Sequence, residues 1–149
     1  MKFKLVEENT RISRKKKLPT FSHADLLTVE EAEKVPQKLR KHTRWWWLKT
    51  DSGSLRAPSV FDAGDICRNG DFIENGAAVR PALRITGIGD YRVGSLFKFG
   101  GKWFQIVDDD IAFCLSNIGI ERYDINSSNY EKSEIKRFVD NWFNENNKG

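Results

Sequence analysis

An α+β domain is expected from this sequence on three grounds. Short runs of apolar, β-branched and aromatic residues, bounded by Gly, Asn, Asp and Pro, recur from Trp45 onward and read as strands. Near the C-terminus Ile135, Phe138, Val139, Trp142 and Phe143 fall at i, i+3, i+4, i+7 and i+8, which makes one apolar helical stripe that belongs to the core. A length of 149 residues, 39% of them hydrophobic and including ten Phe and five Trp, suits one domain over 1–149 that folds without metal or disulfide.

Taken in order, residues 2–6 alternate polar and apolar and read as a short strand. Residues 8–22 are polar, basic and without period, so they read as a surface loop or mobile arm, and 10–20 as dispensable for folding. Thr28 and Glu31 have the capping-box spacing, predicting a helix over 29–35 that Pro36 ends, because proline lacks an amide hydrogen and restricts the residue before it. Strands are expected next, over 45–49, 58–62, 65–68, 71–74 and 78–85. Asn69-Gly70 would close a tight hairpin, since both residues tolerate positive φ. Pro81 implies an edge or bulge in the last of these strands. Residues 97–99 and 102–107 form a hairpin through Gly100-Gly101, continued by 111–115 beyond an Asp108-Asp109-Asp110 turn. Ser128 and Glu131 repeat the capping-box spacing and place the start of the C-terminal helix before Ser133.

The most informative segment is Arg44-Trp45-Trp46-Trp47-Leu48-Lys49. On a strand Trp45 and Trp47 share one face and Trp46 takes the other, which suits a strand buried on both sides. Trp47 and Trp142 are accordingly assigned to the core. The run Trp46-Trp47-Leu48-Lys49-Thr50-Asp51-Ser52-Gly53, a Gly- and Asn-containing stretch, and then Gly76-Ala77-Ala78-Val79-Arg80-Pro81-Ala82-Leu83 together resemble a bacterial and phage-associated domain family of unknown function. Its hallmarks are W-W-L-R-S-P-G and a closing G-V-R-P-A-L. Residues 26–33 resemble the segment that precedes the tryptophans there. The family is similar to the C-type-lectin-like fold, which is shared with formylglycine-generating enzymes and variable receptor-binding proteins. The resemblance therefore implies mixed and antiparallel sheets with two helices. Residues 99–107 and 131–143 resemble segments that come before the tryptophan motif in those domains, yet here they come after it. Either the order is permuted or the C-terminal part is a separate, related-looking unit.

Catalytic signatures are missing. His23 and His42 stand in polar or basic surroundings without a matched Ser, Cys or carboxylate motif, and the chain has no nucleophile elbow, Walker loop or dinucleotide fingerprint. Gly87-Ile88-Gly89 reads as a turn. The three successive aspartates lack calcium-hand spacing, and the calcium triplets of sugar-binding lectins are absent. Cys67 and Cys114 have no C-x-x-C spacing and read as buried free thiols, not as a zinc site or the cysteine-based copper site of formylglycine-generating enzymes. Arg80, in the closing motif, is assigned to a buried carboxylate or to backbone carbonyls. Neither metal nor cofactor is expected. The chain lacks an apolar run of membrane-spanning length and a signal-peptide apolar block, so a cytoplasmic protein without membrane contact is expected.

What remains is binding. Residues 1–50 hold thirteen Lys and Arg against six Asp and Glu, net +7, whereas residues 51–149 hold twelve against fifteen, net −3. The basic cluster of Arg11, Arg14, Lys15, Lys16 and Lys17 suits phosphate or an acidic protein surface, or serves only solubility. Loops 50–56 and 62–76 lie between the two family motifs, where the related domains vary most. They are either a binding surface on a rigid scaffold or plain turns. Arg56, Phe61, Arg68 and Phe72 are their candidate contacts, because Arg and aromatic residues supply most interface hot spots. A non-enzymatic module that binds a macromolecule, a protein above all, is the expected function. The alternatives are a basic, nucleic-acid-binding or nuclease-directed inhibitor of host defence and an enzyme on a formylglycine-generating scaffold.

Overall fold

A computed structural model describes residues 16–148, in which ten strands form two five-stranded sheets accompanied by three α-helices. The α+β class is as expected. In the first sheet the order is β1 (Thr20–Asp25), β6 (Ala82–Gly87), β9 (Ile111–Cys114), β8 (Lys102–Asp108) and β7 (Leu96–Phe99), antiparallel throughout. The second runs β10 (Ile120–Arg122), β5 (Gly76–Ala78), β2 (Trp46–Trp47), β3 (Arg56–Val60) and β4 (Ile66–Phe72), with β2 and β5 parallel. The helices are α1 (Val29–Lys34), α2 (Gln37–Arg40) and α3 (Glu134–Asn146). None of the helices among the described residues is long and apolar enough to cross a membrane.

The tryptophan triplet divides the core. Trp47 enters the larger apolar cluster with Phe104, Tyr123, Ile135 and Val139, while Trp46 enters a second with Leu48, Val60, Ala82 and Phe113. Both rings are fully buried, as strand alternation requires of a strand covered on two faces. Their indole N–H groups donate to the carbonyls of Glu121 at 3.0 Å and Arg40 at 2.9 Å, so burial leaves no donor stranded. Trp45 packs edge-on against Trp47 at 4.9 Å. In α3, Ile135, Val139 and Phe143 are buried, whereas Phe138 and Trp142 are half-buried at the edge of the same cluster. Trp142 is therefore a margin residue, since its ring covers Phe99 and Phe104 without being enclosed.

The capping box forms as expected: the Thr28 amide donates to Glu31 Oε1 at 3.0 Å and the Glu31 amide to Thr28 Oγ1 at 3.1 Å. Gly100 and Gly101, at φ +60° and +77°, close the β7–β8 hairpin with the two positive dihedrals of a tight turn.

Several elements differ from expectation. Pro36 ends α1 but also opens α2, because a proline at the first turn loses no helical hydrogen bond. The expected strand 78–85 is two strands, and Val79-Arg80-Pro81 carries the chain from one sheet to the other; Pro81 sits in this crossover and not at a ladder edge. Asn69-Gly70 is no hairpin. It is a bulge inside the continuous β4, where pairing moves from Ala57↔Asp71 to Ser59↔Cys67. A Cβ on Gly70 would lie 1.8 Å from the Ala57 carbonyl oxygen, so the close approach of β3 demands glycine there. The end of the proposed arm is structured too. Residues from Thr20 belong to β1, and the Lys17 backbone exchanges hydrogen bonds of 2.7 and 2.9 Å with Asp90. The strand expected over 2–6 and the rest of the arm lie outside the described residues. At the other end Asn129 caps a 3₁₀ turn (Tyr130–Lys132) and Ser133 caps α3, which begins at Glu134 and not earlier. Cys114 is buried, whereas Cys67 is half-buried; both are free.

Candidate functional site

An ionic frame holds the start of α1 to the two sheets. The Arg84 guanidinium, on β6, donates to Asp25 Oδ1 at 2.6 Å and to both Glu31 oxygens at 2.7 and 3.0 Å, while Lys49 Nζ, just beyond β2, donates to Asp25 Oδ2 at 2.7 Å. Burial works against the charge on Arg84, but its bonds to Glu31 and Asp25 outweigh that and hold it more firmly protonated than usual. Burial likewise opposes the charge on Glu31, and the Arg84 and Thr28 hydrogen bonds overcome it, holding the carboxyl below its ordinary range. Ser22 Oγ lies 2.8 Å from His23 Nδ1, and His23 Nε2 lies 3.4 Å from Asp25. Because that carboxylate already accepts from Lys49 and Arg84, the Ser–His pair extends this frame.

Beside the frame opens a cleft of about 1060 Å³. Its walls are the start of α1, the segment 49–54 that leaves the tryptophan motif, the β3–β4 bulge and the 3₁₀ turn. Arg56 and Arg68, distant in sequence order, both line it. The Arg56 guanidinium lies 4.1 Å from the centroid of the exposed Phe72 ring, and its Nη1 donates to the Gly70 carbonyl at 3.0 Å; Arg68 pairs with Glu33. The strand pairing explains the stack, since Arg56 and Phe72 are opposite residues on β3 and β4. Phe61 is exposed but stands past the far end of β3, five residues from Arg56 and about 17 Å away along an extended strand. Three of the four loop candidates are thus gathered and one is not.

Sequence reasoning missed Tyr130. Only 3% exposed, it borders both the cleft and a neighbouring cavity of about 370 Å³, and its hydroxyl has no hydrogen-bond partner. Burial, then the nearby Asp25 and Asp140 carboxylates, push its pKa up, so the phenol keeps its proton. Lys49 Nζ faces its ring at 5.6 Å. A single Tyr between polar residues carries no signal of this in sequence.

Arg80 is framework. It is 1% exposed, and its Nε donates to the carbonyls of Cys114 and Ser116 at 3.2 and 3.1 Å while Nη1 and Nη2 donate to those of Arg40 and Leu39 at 3.2 and 3.0 Å. Its plane also meets the Trp46 and Phe113 rings. Burial lowers its pKa to about 10, and its charge adds to burial in lowering the pKa of His42. The nearby His42 Nε2 lies 3.0 Å from Asn117 Nδ2. Of the basic candidates, Lys16 lies over the Tyr91 ring at 4.5 Å and Lys17 is exposed; Arg14 and Lys15 are outside the described residues. Among the described residues no cluster of three or more His, Cys, Asp or Glu side chains is arranged to hold a metal ion.

In comparison with known proteins, the chain matches no family model, no curated protein and no solved structure.

Proposed function

We propose that this chain is a non-enzymatic module that binds a protein partner at the cleft between α1 and the β3–β4 bulge. One observation carries the reading: Arg56 and Arg68 meet on one concave surface, and Arg56 is held ready by the Phe72 ring and the Gly70 carbonyl. A guanidinium fixed before binding loses little side-chain freedom on contact, and an Arg–aromatic pair at the mouth of a cleft has the composition of an interface hot spot. The resemblance to the W-W-L-R-S-P-G family supports the same place, because the variable segment of those domains corresponds to 50–76, which supplies two of these walls, the one after the tryptophan motif and the β3–β4 bulge. Less supports the basic first third as a nucleic-acid surface, since Arg40 donates to the carbonyls of Val35 and Gly64, Lys49 serves Asp25 and Lys16 rests on Tyr91.

A pull-down from source cells tests the proposal. The Arg56→Ala/Arg68→Ala/Phe72→Ala variant should lose the captured partner while its melting temperature stays within a few degrees, as surface substitutions cost about 0.5 kcal/mol or less each. Neutralising Arg11, Arg14, Lys15, Lys16 and Lys17 together should leave capture intact. The reverse pattern would transfer the site to the basic cluster.

A further inference from the structure

We infer that His42 and Asn117 form an acid-operated tie, closed while the His42 ring is neutral and opened by its protonation, between the turn that leads into the tryptophan strand and the segment that leads into β10. Neither residue lines the cleft, so the device stands apart from the protein-binding reading. His42 lies just beyond α2, and its amide donates to the Asp62 carbonyl at 2.9 Å. Asn117 lies between Ser116, whose carbonyl accepts from Arg80, and Ile118 and Gly119, which exchange hydrogen bonds of 2.9 Å with Val79. The tie thus joins the approach to β2 to the segment that fastens the crossover.

A fixed donor decides which end of Asn117 faces the ring. The Gly119 amide can only donate, and the atom it meets at 3.0 Å is Asn117 Oδ1. The other end, Nδ2, is therefore the one 3.0 Å from His42 Nε2, and that ring nitrogen has to accept. An accepting Nε2 means a neutral ring with its proton on Nδ1. Protonation sets N–H against N–H. Turning the amide over would satisfy the ring but bring Nδ2 against the Gly119 amide, so no orientation serves both. Charge adds to the conflict. The charged residues gathered here are Arg40 at the end of α2, Lys41 and Arg44 of the same turn, Asp62, which meets His42 through its carbonyl, and Arg80 of the crossover; the 115–119 segment brings none. Neither His42 nor Arg80 has a carboxylate within ion-pair reach among the described residues. Burial, and then Arg80, hold the pKa of the ring below its ordinary value. The unfolded chain therefore takes up a proton that the folded chain resists. The contribution of His42 to stability is complete above the ordinary histidine value of about 6.5 and falls as pH drops below it.

NMR of the full chain tests this. At neutral pH the nitrogen shifts of His42 should place its proton on Nδ1. On acidification the ring should titrate below the ordinary histidine value, and amide exchange at His42 and Gly119 should accelerate over the same range. Thermal melts from about pH 7.5 to about pH 5 should show a larger stability loss than in His42→Gln, whose amide oxygen accepts from Asn117 at every pH. Asn117→Asp should reverse the behaviour of the ring: one carboxylate oxygen accepts from Gly119 and the other from protonated His42, so His42 titrates above its ordinary value and its acid loss disappears. A proton on Nε2 at neutral pH overturns the inference. So does titration of His42 at or above the ordinary value in the unsubstituted chain, or an equal acid loss in His42→Gln. The two NMR readings need no substitution, so they decide the question even where a variant does not fold.

Discussion

Arg80 and Tyr130 are both almost completely enclosed, at 1% and 3% exposure, and their circumstances are opposite. Arg80 carries a full charge into the interior and finds four carbonyl oxygens and two aromatic faces waiting. Tyr130 brings in one hydroxyl and finds no partner. A buried group whose every nitrogen donates is framework, because its bonds are spent on holding elements together. An unsaturated one beside open space has bonding capacity left over for something that arrives. That difference separates the crossover between the sheets from the cleft.

The largest effect should come from breaking the saturated side. Arg80→Met leaves the carbonyls of Leu39, Arg40, Cys114 and Ser116 without this donor, and should cost about 3–5 kcal/mol in urea unfolding. Arg80→Lys should recover little of it, since a single ammonium cannot span the same fork. A loss below about 1 kcal/mol would mean that the carbonyls find other donors, and the contrast with Tyr130 would collapse.

Packing gives the next effect. Trp47→Ala should cost about 3–5 kcal/mol, because the ring is fully enclosed and its N–H is bonded. Trp142→Ala should cost about 1–2 kcal/mol, since part of that ring is already in water. Equal losses would show that the margin of α3 is as tightly held as the tryptophan strand.

The smallest effects sharpen the comparison most. Tyr123 Oη accepts from the Thr50 amide at 3.2 Å, so Tyr123→Phe should lose about 1 kcal/mol. Tyr130→Phe removes a hydroxyl that bonds to nothing and should change stability by about 0.5 kcal/mol or less, with a gain as the expected sign. Thermal melts of the two variants side by side decide it, and a loss at Tyr130 equal to that at Tyr123 would reveal a partner for the hydroxyl.

Much of the frame was legible from residue order. The Thr28–Glu31 box, the Gly100-Gly101 hairpin, the Asp108-Asp109-Asp110 turn and the α3 stripe each depend on residues within a few positions of one another, where local chemistry is decisive. Arg56, Arg68 and Phe72 were chosen as interface residue types, and their meeting at one mouth followed from β3 pairing with β4. The errors share a cause. Asn69-Gly70 has the composition of a hairpin and also of a bulge, and the approach of Ala57 decides between them. Residues 78–85 look like one continuous strand, and the change of sheet at Arg80 is set by partners on α2 and β9 that lie about forty residues before it and thirty-four after it.

By itself the sequence determined the α+β class, the two-sided burial of the tryptophan strand and the Thr28–Glu31 cap. Each of these rests on periodicity, propensity or spacing, which act over one turn of helix or one pair of strand residues. Only the tertiary structure decided that Lys49, Arg56, Arg68 and Tyr130 share one cleft, that Arg80 is spent and that the Tyr130 hydroxyl is not. Whether a polar group has a partner depends on what the rest of the chain brings within about 3 Å of it, and no local pattern carries that information.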